Sequence, residues 1–344
     1  MRLGLLTGGG DCPGLNAAIR AVVAQAERYG LEVVGIERGW AGLLEPASRP
    51  LTWAEVEGLV GVGGTLVLTS RTNPLKQEEG PDQVAANIER LGLEALLAVG
   101  GDDTLAVALA LSRDGVPVVG VPKTMDNDVG GTDYTIGYHT AAAIGAEAVE
   151  RLHTTARSHS RVMVLEVMGR EAGWVALGAG LGGGAHLTLV PEAPVALDDV
   201  VRWVERRHRR GASYTVVVVA EGAKIGGLQL PDYAARGRDA FGHVRLGGVG
   251  EDLAEAVGRA SGLEARSTSL GHVQRGGPPV LFDRLLGTRL GLEAVEAVRR
   301  REFGRMVALR GTEVSTLPLE DALSQTPRLV DRELLEQLRP VLWL

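Results

Sequence analysis

The chain has 344 residues, of which 45% are hydrophobic and 23% are charged, so it is long enough for two domains with sizeable cores. The net charge of −7 argues against a nucleic-acid partner, and a single cysteine, Cys12, excludes an intramolecular disulfide. Residues 1–7 lack a signal-peptide pattern, and the apolar stretch 172–191 contains too many glycines for a good membrane span. We therefore expect a cytoplasmic protein that binds no nucleic acid and no membrane.

The first predicted elements are a short apolar strand at residues 3–6, a glycine-rich turn at residues 8–14 and a helix at residues 15–29. A glycine turn that opens a helix exposes backbone N–H groups, which often bind phosphate. The spacing matches neither the dinucleotide motif nor the P-loop, so the turn alone is weak evidence. Cys12 in this turn is either a small packing residue or a thiol whose pKa the helix N-terminus lowers.

The same order of strand, glycines, acidic residue and helix returns further along the chain. After a strand at residues 32–36, Arg71 lies in a polar loop, either as a phosphate-binding guanidinium or as a solvated side chain. A second buried strand at residues 95–99 ends in GGDDT, residues 100–104, and a helix continues to about residue 112. The repetition favours two related ligand-binding turns over one chance glycine cluster.

The run PKTMDND at residues 122–128 follows a valine-rich strand predicted at residues 116–121. Lys123, Asp126 and Asp128 then fall just past the C-terminal end of that strand, where open α/β sheets bind ligands. One carboxylate there could take a proton from a hydroxyl, while the other holds a metal or tunes the first. The alternative is a capped turn, because Asp and Asn favour turns through local hydrogen bonds.

Strands and helices alternate through the rest of the chain, which predicts an α/β fold with parallel sheets. Strands are predicted at residues 161–167, 187–190 and 214–220, and helices at residues 81–91, 140–152, 197–210, 253–261 and 283–301. Residues 226–250 are glycine-rich and irregular, which indicates a surface excursion. Several strand ends carry glycine together with Asp, Arg, Lys or His, which together predict one site for a phosphorylated ligand.

Six runs, in family order along most of the chain, resemble the motifs of the 6-phosphofructokinase family. They are GGDCPGLNAAIR at 9–20, GGDDT at 100–104, PKTMDND at 122–128, DYTIGY at 133–138, VMGR at 167–170 and LGHVQRGG at 270–277. The resemblance implies two Rossmann-like, three-layer αβα domains with largely parallel sheets and an active site in the cleft between them. It also implies a donor domain of residues 1–137 plus about 274–322, and a fructose 6-phosphate domain of residues 138–273 plus the C-terminal segment.

The resemblance further implies roles for single residues, with Mg²⁺ as the cofactor. Asp126, as the base, would act with Asp103, Lys123 and Arg170 in catalysis. Asp102 would serve the metal, and the donor would be bound by Gly10, Arg71, Asp102 and Thr104. Fructose 6-phosphate would be bound by Thr124, Asp126, Asp128, Met168, Gly169, Arg170, Glu221, His272 and Arg275. Arg161 and Arg266 would reach the sugar phosphate of a neighbouring subunit, which implies a homodimer or homotetramer with shared active sites.

Two residues that differ from those of the ATP-using members indicate which phosphoryl donor this chain uses. Those members resemble each other in having a glycine at each of the positions that hold Asp103 and Lys123 here, so this pair resembles the pyrophosphate-dependent branch of the bacterial mixed-substrate group. Asp103 would repel a nucleotide α-phosphate, and Lys123 would place positive charge on the departing phosphate. Val107 would narrow an adenine pocket. Ala24 and His153 stand where the resemblance leads us to expect effector-binding arginines, so we expect a non-allosteric enzyme.

The resemblance thus predicts reversible phosphoryl transfer from inorganic pyrophosphate to the 1-hydroxyl of fructose 6-phosphate, a step of glycolysis and gluconeogenesis. The nearest alternative is ATP-dependent 6-phosphofructokinase, which the identity of residues 103 and 123 disfavours. A nicotinamide dehydrogenase would need G-x-G-x-x-G in the first turn, which this chain lacks. A non-catalytic, sugar-phosphate-binding regulatory subunit remains open, although the presence of both Asp102 and Asp126 argues against it.

Overall fold

The computed structural model describes residues 1–228 and 246–342, so most of the predicted surface excursion at 226–250 lies outside the described residues. The strands are β1 Arg2–Thr7, β2 Glu32–Ile36, β3 Ser48–Leu51, β4 Ala95–Gly100, β5 Val118–Thr124, β6 Ile136–Gly137, β7 Val162–Val167, β8 Leu187–Leu189, β9 Val195–Ala196, β10 Thr215–Ala220, β11 Ile225–Gly226, β12 Ala265–Ser269, β13 Arg305–Arg310 and β14 Glu313–Pro318. The helices are α1 Leu15–Arg28, α2 Ala41–Leu44, α3 Trp53–Val56, α4 Gly80–Arg90, α5 Asp102–Arg113, α6 Tyr138–His159, α7 Trp174–Gly183, α8 Leu197–Arg209, α9 Val249–Ser261, α10 Leu281–Arg299, α11 Leu319–Ser324 and α12 Arg332–Leu342.

The chain forms two compact units. Unit 1 comprises Met1–Tyr138 and Arg275–Arg328, and unit 2 comprises His139–Gln274 and Leu329–Leu344. The sheet of unit 1 has the strand order β14-β13-β5-β4-β1-β2-β3, with β6 paired to β5. Its inner strands pair in parallel, whereas β3 and β14 at the two edges are antiparallel. Alternate residues of β2 and β4, with Leu6 of β1, share one core with α2, α4, α5 and α11.

Unit 2 is built on a smaller sheet with the strand order β12-β7-β10-β8, in which every neighbouring pair is parallel. The residues of β7 and β10 are all buried, as expected for parallel strands covered on both faces. Alternate residues of these strands form a core with α8 and α9. Edge strand β12 is exposed or half-buried along its length. The predicted α/β fold with largely parallel sheets is confirmed, while the active site between two domains stays a prediction.

Strand β5 continues three residues beyond the strand predicted from the sequence. The cause is a tertiary contact, because Lys123 and Thr124 pair with Ile136 and Gly137 of β6. The prediction that Lys123 follows the strand is therefore wrong, since it lies within β5. Helix α6 is also longer than predicted, and the β13–β14 hairpin was not predicted. Within residues 1–228 and 246–342 no helix has the length and apolarity needed to span a membrane.

Candidate active site

The glycine turn after β1 is held in place by a buried lysine. The N–H of Gly8 donates to the carbonyl of Val99 at 2.9 Å, which ties the turn to the end of β4. The ammonium of Lys123 donates to the carbonyl oxygens of Gly8 at 2.8 Å and Gly10 at 2.6 Å. Because both carbonyls are occupied by the ammonium, the conformation of this turn depends on the side chain at position 123.

Charges of both signs surround Lys123. Burial lowers the pKa of its ammonium, and the carboxylates of Asp126 and Asp102 act in the opposite direction. Arg275 is close enough to lower the pKa of Lys123 further. The structure thus brings two cations together with Asp126, the predicted base, and Asp102, the predicted metal ligand, at one end of the unit 1 sheet.

Arg275 lies directly over Gly10. A Cβ atom built on Gly10 would be 1.9 Å from Nη1 of Arg275, so any side chain there would displace the guanidinium. The Nε of Arg275 is buried and has no hydrogen-bond partner in the part of the chain that the structure describes. The sequence placed Arg275 with the sugar-binding residues, whereas here it neighbours a predicted donor-binding glycine. Its role in binding sugar stays a prediction.

The first turn of α5 presents Asp102 and Asp103, both half-buried. Thr104 behind them is buried, and its side chain fills the space beside Gly8 and Gly100. A Cβ on Gly8 would lie 2.5 Å from the Thr104 hydroxyl, and a Cβ on Gly100 would lie 2.3 Å from the Thr104 Cβ. Glycine is therefore required at both strand ends, because the turn after β1 and the start of α5 approach each other closely.

The loop after β5 is both a capped turn and a carrier of two carboxylates. The N–H of Asp126 donates to the Thr124 hydroxyl at 3.1 Å, and Oδ1 of Asn127 accepts from the N–H of Thr135 at 3.0 Å. Asn127 has a φ of 56°, in the left-handed region that Asn tolerates better than most residues. Asp126 and Asp128 are buried on either side of it. The run is therefore a capped turn and, at the same time, presents the two carboxylates that the sequence predicts for a site.

In unit 2 the turn after β7 is organised by Glu221, at the end of β10. Its Oε1 accepts from the N–H groups of Gly169 at 3.2 Å and Arg170 at 2.9 Å. Both residues have positive φ, 150° for Gly169 and 52° for Arg170. Glu221, predicted to contact sugar, thus also fixes the backbone of Gly169 and Arg170.

Arg161 and Arg266 lie side by side on unit 2, joined by a residue that the sequence did not single out. Oε1 of Glu264 is 2.8 Å from Nη2 of Arg161 and 3.0 Å from Nη2 of Arg266. The hydrogen bond from Arg161 is the main cause of the lowered pKa of Glu264. The predicted contact of both arginines with a neighbouring subunit stays a prediction, as does the sugar contact of His272, which is exposed.

Two further residues position the predicted site and were missed. Gln274 is fully buried, and its Oε1 accepts from the N–H of Met168 at 2.9 Å. It stands inside the quoted run LGHVQRGG, so the motif contained the signal. Arg328 hydrogen-bonds the loop after β5 and belongs to none of the motifs. Arg71, predicted to bind the donor, is half-buried in a loop.

The structure decides between the two interpretations of Cys12. Its thiol donates to the carbonyl of Ile136 at 3.1 Å, and burial raises its pKa to about 12. Cys12 is therefore a packing residue, and the lowered pKa that a helix N-terminus could have produced is absent. Val107 is likewise buried in the core of unit 1, where its side chain packs against the sheet. It is a structural residue here.

Comparison with known proteins assigns the chain to a family. Residues 2–298 match the family model described as Phosphofructokinase. The chain belongs to the phosphofructokinase family. It is 53% identical over 327 residues to the pyrophosphate–fructose 6-phosphate 1-phosphotransferase of Amycolatopsis methanolica. The aligned region covers 94% of this chain and 95% of the relative. It is also 49% identical to ATP-dependent 6-phosphofructokinase 2 of Streptomyces coelicolor, with the same coverage.

A solved phosphofructokinase has a similar fold. The crystal structure of Pichia pastoris phosphofructokinase in the T-state superimposes with a TM-score of 0.82 at 33% sequence identity. The similarity covers 94% of this chain but only 35% of that chain, so this chain spans about a third of the length of the Pichia pastoris protein. The family resemblance inferred from the six sequence motifs is thereby confirmed.

Proposed function

We propose that this phosphofructokinase transfers a phosphoryl group from inorganic pyrophosphate to the 1-hydroxyl of fructose 6-phosphate. The observation that carries the choice of donor is Lys123, whose buried ammonium lies on the glycine turn beside Arg275. A glycine at position 123 would supply no such charge. Asp103, in the first turn of α5, adds negative charge where a nucleotide would bring its α-phosphate. The 53% identical relative carries the same activity in its name.

The proposed chemistry is an in-line transfer with one proton removed. Asp126 takes the proton from the 1-hydroxyl, the sugar oxygen bonds to phosphorus, and the phosphorus–oxygen bond of pyrophosphate breaks to release phosphate. Lys123 and Arg275 oppose the charge that develops on the departing phosphate. Phosphoryl transfer depends mainly on such positioning and charge neutralisation rather than on covalent catalysis by the protein. In the reverse direction Asp126 returns the proton.

The donor residues suit a magnesium ion that arrives with the substrate. No group of three or more His, Cys, Asp or Glu side chains within residues 1–228 and 246–342 could hold a metal alone. Mg²⁺ in phosphate-transfer sites is usually held by one or two carboxylates together with substrate phosphates. Asp102 would hold such an ion, which supplies positive charge to the phosphate oxygens when bound, while Gly10, Arg71 and Thr104 position the donor.

The acceptor is assigned to unit 2. The turn Met168–Arg170, fixed by Gln274 and Glu221, is proposed to bind the sugar together with Glu221 itself, Thr124, Asp128, His272 and Arg275. Arg161 and Arg266 are proposed to bind the sugar phosphate of a neighbouring subunit, so the active form is a homodimer or homotetramer. We also propose that the enzyme is non-allosteric. In support, the ring of His153 contacts the rings of His186 and Tyr214, and its Nε2 is 3.0 Å from the carbonyl oxygen of Gly184.

A donor assay tests this proposal against the ATP-dependent alternative, which the 49% identical relative keeps open. The parent with fructose 6-phosphate and Mg²⁺ is expected to prefer pyrophosphate, measured as kcat/KM for each donor. Lys123→Gly should lower pyrophosphate use by about 10²–10³-fold, the usual cost of one charge-stabilising donor. Adding Asp103→Gly should open some ATP use, because it relieves repulsion of the α-phosphate. Lys224→Ala, at an exposed lysine, is the control. A parent that prefers ATP would refute the donor assignment.

A further inference from the structure

Arg328, the last residue of unit 1, hydrogen-bonds three carbonyl groups of the acidic loop after β5. Its backbone N–H donates to the carbonyl of Asp128 at 2.6 Å. Its guanidinium donates to the carbonyl of Asp133 at 2.8 Å, and to the carbonyl of Asn127 at 3.3 Å from Nη2 and 3.4 Å from Nε. One residue therefore joins both ends of the loop 127–133 across about two hundred positions of sequence.

The C-terminal half of the loop is also held by β13, since the N–H of Asp133 donates to the carbonyl of Leu309 at 2.8 Å, whereas Arg328 holds the carbonyls of Asn127 and Asp128 next to Asp126. Asn127 adopts a left-handed conformation, and its side chain bonds Thr135 and the carbonyl of Asp133, the latter at 3.3 Å. Thr326 reinforces the same contact, because its hydroxyl accepts from the N–H of Gly130 at 2.9 Å. A planar guanidinium can donate to two carbonyls at fixed angles, which an ammonium cannot reproduce.

We propose that Arg328 is a positioning residue for Asp126, which directly precedes the loop that Arg328 holds. This inference rests on the proposed function, in which Asp126 accepts the proton of the sugar hydroxyl. The guanidinium does not touch the reacting atoms; it fixes the backbone from which the carboxylates of Asp126 and Asp128 project. Displacement of a catalytic group by about 1 Å can lower the rate about a hundredfold. Loss of Arg328 should therefore slow turnover much more than it weakens substrate binding.

The test compares Arg328→Met with Arg305→Met. Arg305 is the matched control, since it is also half-buried in unit 1 and makes two hydrogen bonds to Thr316, but does not contact the loop. Arg328→Met is expected to lower kcat by about ten- to a hundredfold, with the KM for fructose 6-phosphate changed by less than about threefold. Arg305→Met should lower the thermal stability by about as much as Arg328→Met does, but it should leave kcat near that of the parent. Arg328→Lys should recover only part of the loss.

A double-mutant cycle separates positioning of Asp126 from general damage. If Arg328 acts through Asp126, Arg328→Met should cost little more once Asp126→Asn is already present, because groups that act as a unit are not additive. Full additivity would overturn the inference. Equal kcat in Arg328→Met and Arg305→Met would overturn it as well.

Hydrogen–deuterium exchange makes the test independent of the donor. Amides of residues 125–136 should exchange faster in Arg328→Met and not in Arg305→Met, and unchanged exchange would overturn the inference. The kinetic comparisons use whichever donor the parent turns over. Failure of the parent with pyrophosphate would thus count against the proposed function, while the result for Arg328 would still be decided by exchange and by kcat.

Discussion

The two units hold their proposed site residues in different ways. In unit 1 four of these side chains are buried, with exposed fractions of 2% for Thr104, 3% for Lys123, 5% for Asp126 and 7% for Asp128. In unit 2 the side chains of Arg161, Glu264 and Arg266 are 28%, 45% and 62% exposed. Buried hydrogen bonds are costly to break, whereas exposed ion pairs contribute only about 0–1 kcal/mol. Substitutions at the buried residues of unit 1 should therefore affect turnover strongly, whereas breaking the ion pairs of Glu264 with Arg161 and Arg266 should have a small effect.

The largest effect is expected at Asp126. Asp126→Asn keeps the shape of the side chain but removes the base, so kcat should fall roughly 10²-fold or more. The KM for fructose 6-phosphate should change much less. Steady-state kinetics of the variant, with Asp82→Asn on the exposed face of α4 as the control, measure both values. Turnover near that of the parent would remove Asp126 from this role and make burial in unit 1 purely structural.

Gly10→Ala should separate activity from stability within unit 1. The added methyl must displace the Arg275 guanidinium, which is the flexible end of a side chain, so we expect the free energy of unfolding to fall by less than about 1 kcal/mol. Moving the guanidinium off the glycine turn should lower kcat/KM for pyrophosphate about tenfold, which corresponds to about 1.4 kcal/mol. Gly58→Ala, where a Cβ meets nothing within 4 Å, is the matched control. Unchanged kinetics in Gly10→Ala would mean that Arg275 does not serve the donor.

A smaller effect is expected at Glu264 in unit 2. Glu264→Gln releases Arg161 and Arg266 from their shared carboxylate, so the KM for fructose 6-phosphate should rise about two- to fivefold while kcat stays the same. The control is Glu255→Gln, which breaks an exposed ion pair with Arg259 on α9. A fall in KM would show that Glu264 competes with the sugar phosphate instead of orienting its arginines.

The smallest effect is expected in the pH dependence of stability, at His186. Burial lowers the pKa of His186 from 6.5 to about 4, with Arg207 and His153 adding to the shift, and its Nδ1 accepts from the N–H of Val216 at 2.9 Å. The unfolded chain binds a proton at this position below pH 6.5, and the folded chain does so only near pH 4. Stability is therefore lost as the pH falls through this window. Urea unfolding of His186→Phe between pH 7 and pH 4.5 should show a shallower loss than the parent. An identical slope would contradict the assignment.

The sequence predicted the turns of both units better than the contacts between distant segments. The glycine turn, the start of α5 and the loop after β5 are local patterns, and their residues meet as expected. Lys123 was predicted to follow the strand, but it lies within β5, because pairing with β6 extends β5 beyond the predicted strand. Arg328 and Glu264 could not be found from pattern, since neither stands in a motif. Arg328 acts on a distant loop, and Glu264 joins the neighbouring Arg266 to the distant Arg161. Their roles depend on tertiary packing, which no local spacing encodes.

The burial of Cys12 has a practical consequence for solution studies. It is the one cysteine of the chain, and its thiol is packed against Ile136 with a pKa of about 12. Thiol reagents react with the thiolate, so maleimides and spin labels should leave the folded protein almost untouched at neutral pH. One cysteine introduced at an exposed position of each unit would then give two defined points of attachment for fluorophores. Distances between labels on the two units could be followed through the catalytic cycle without first removing a native thiol.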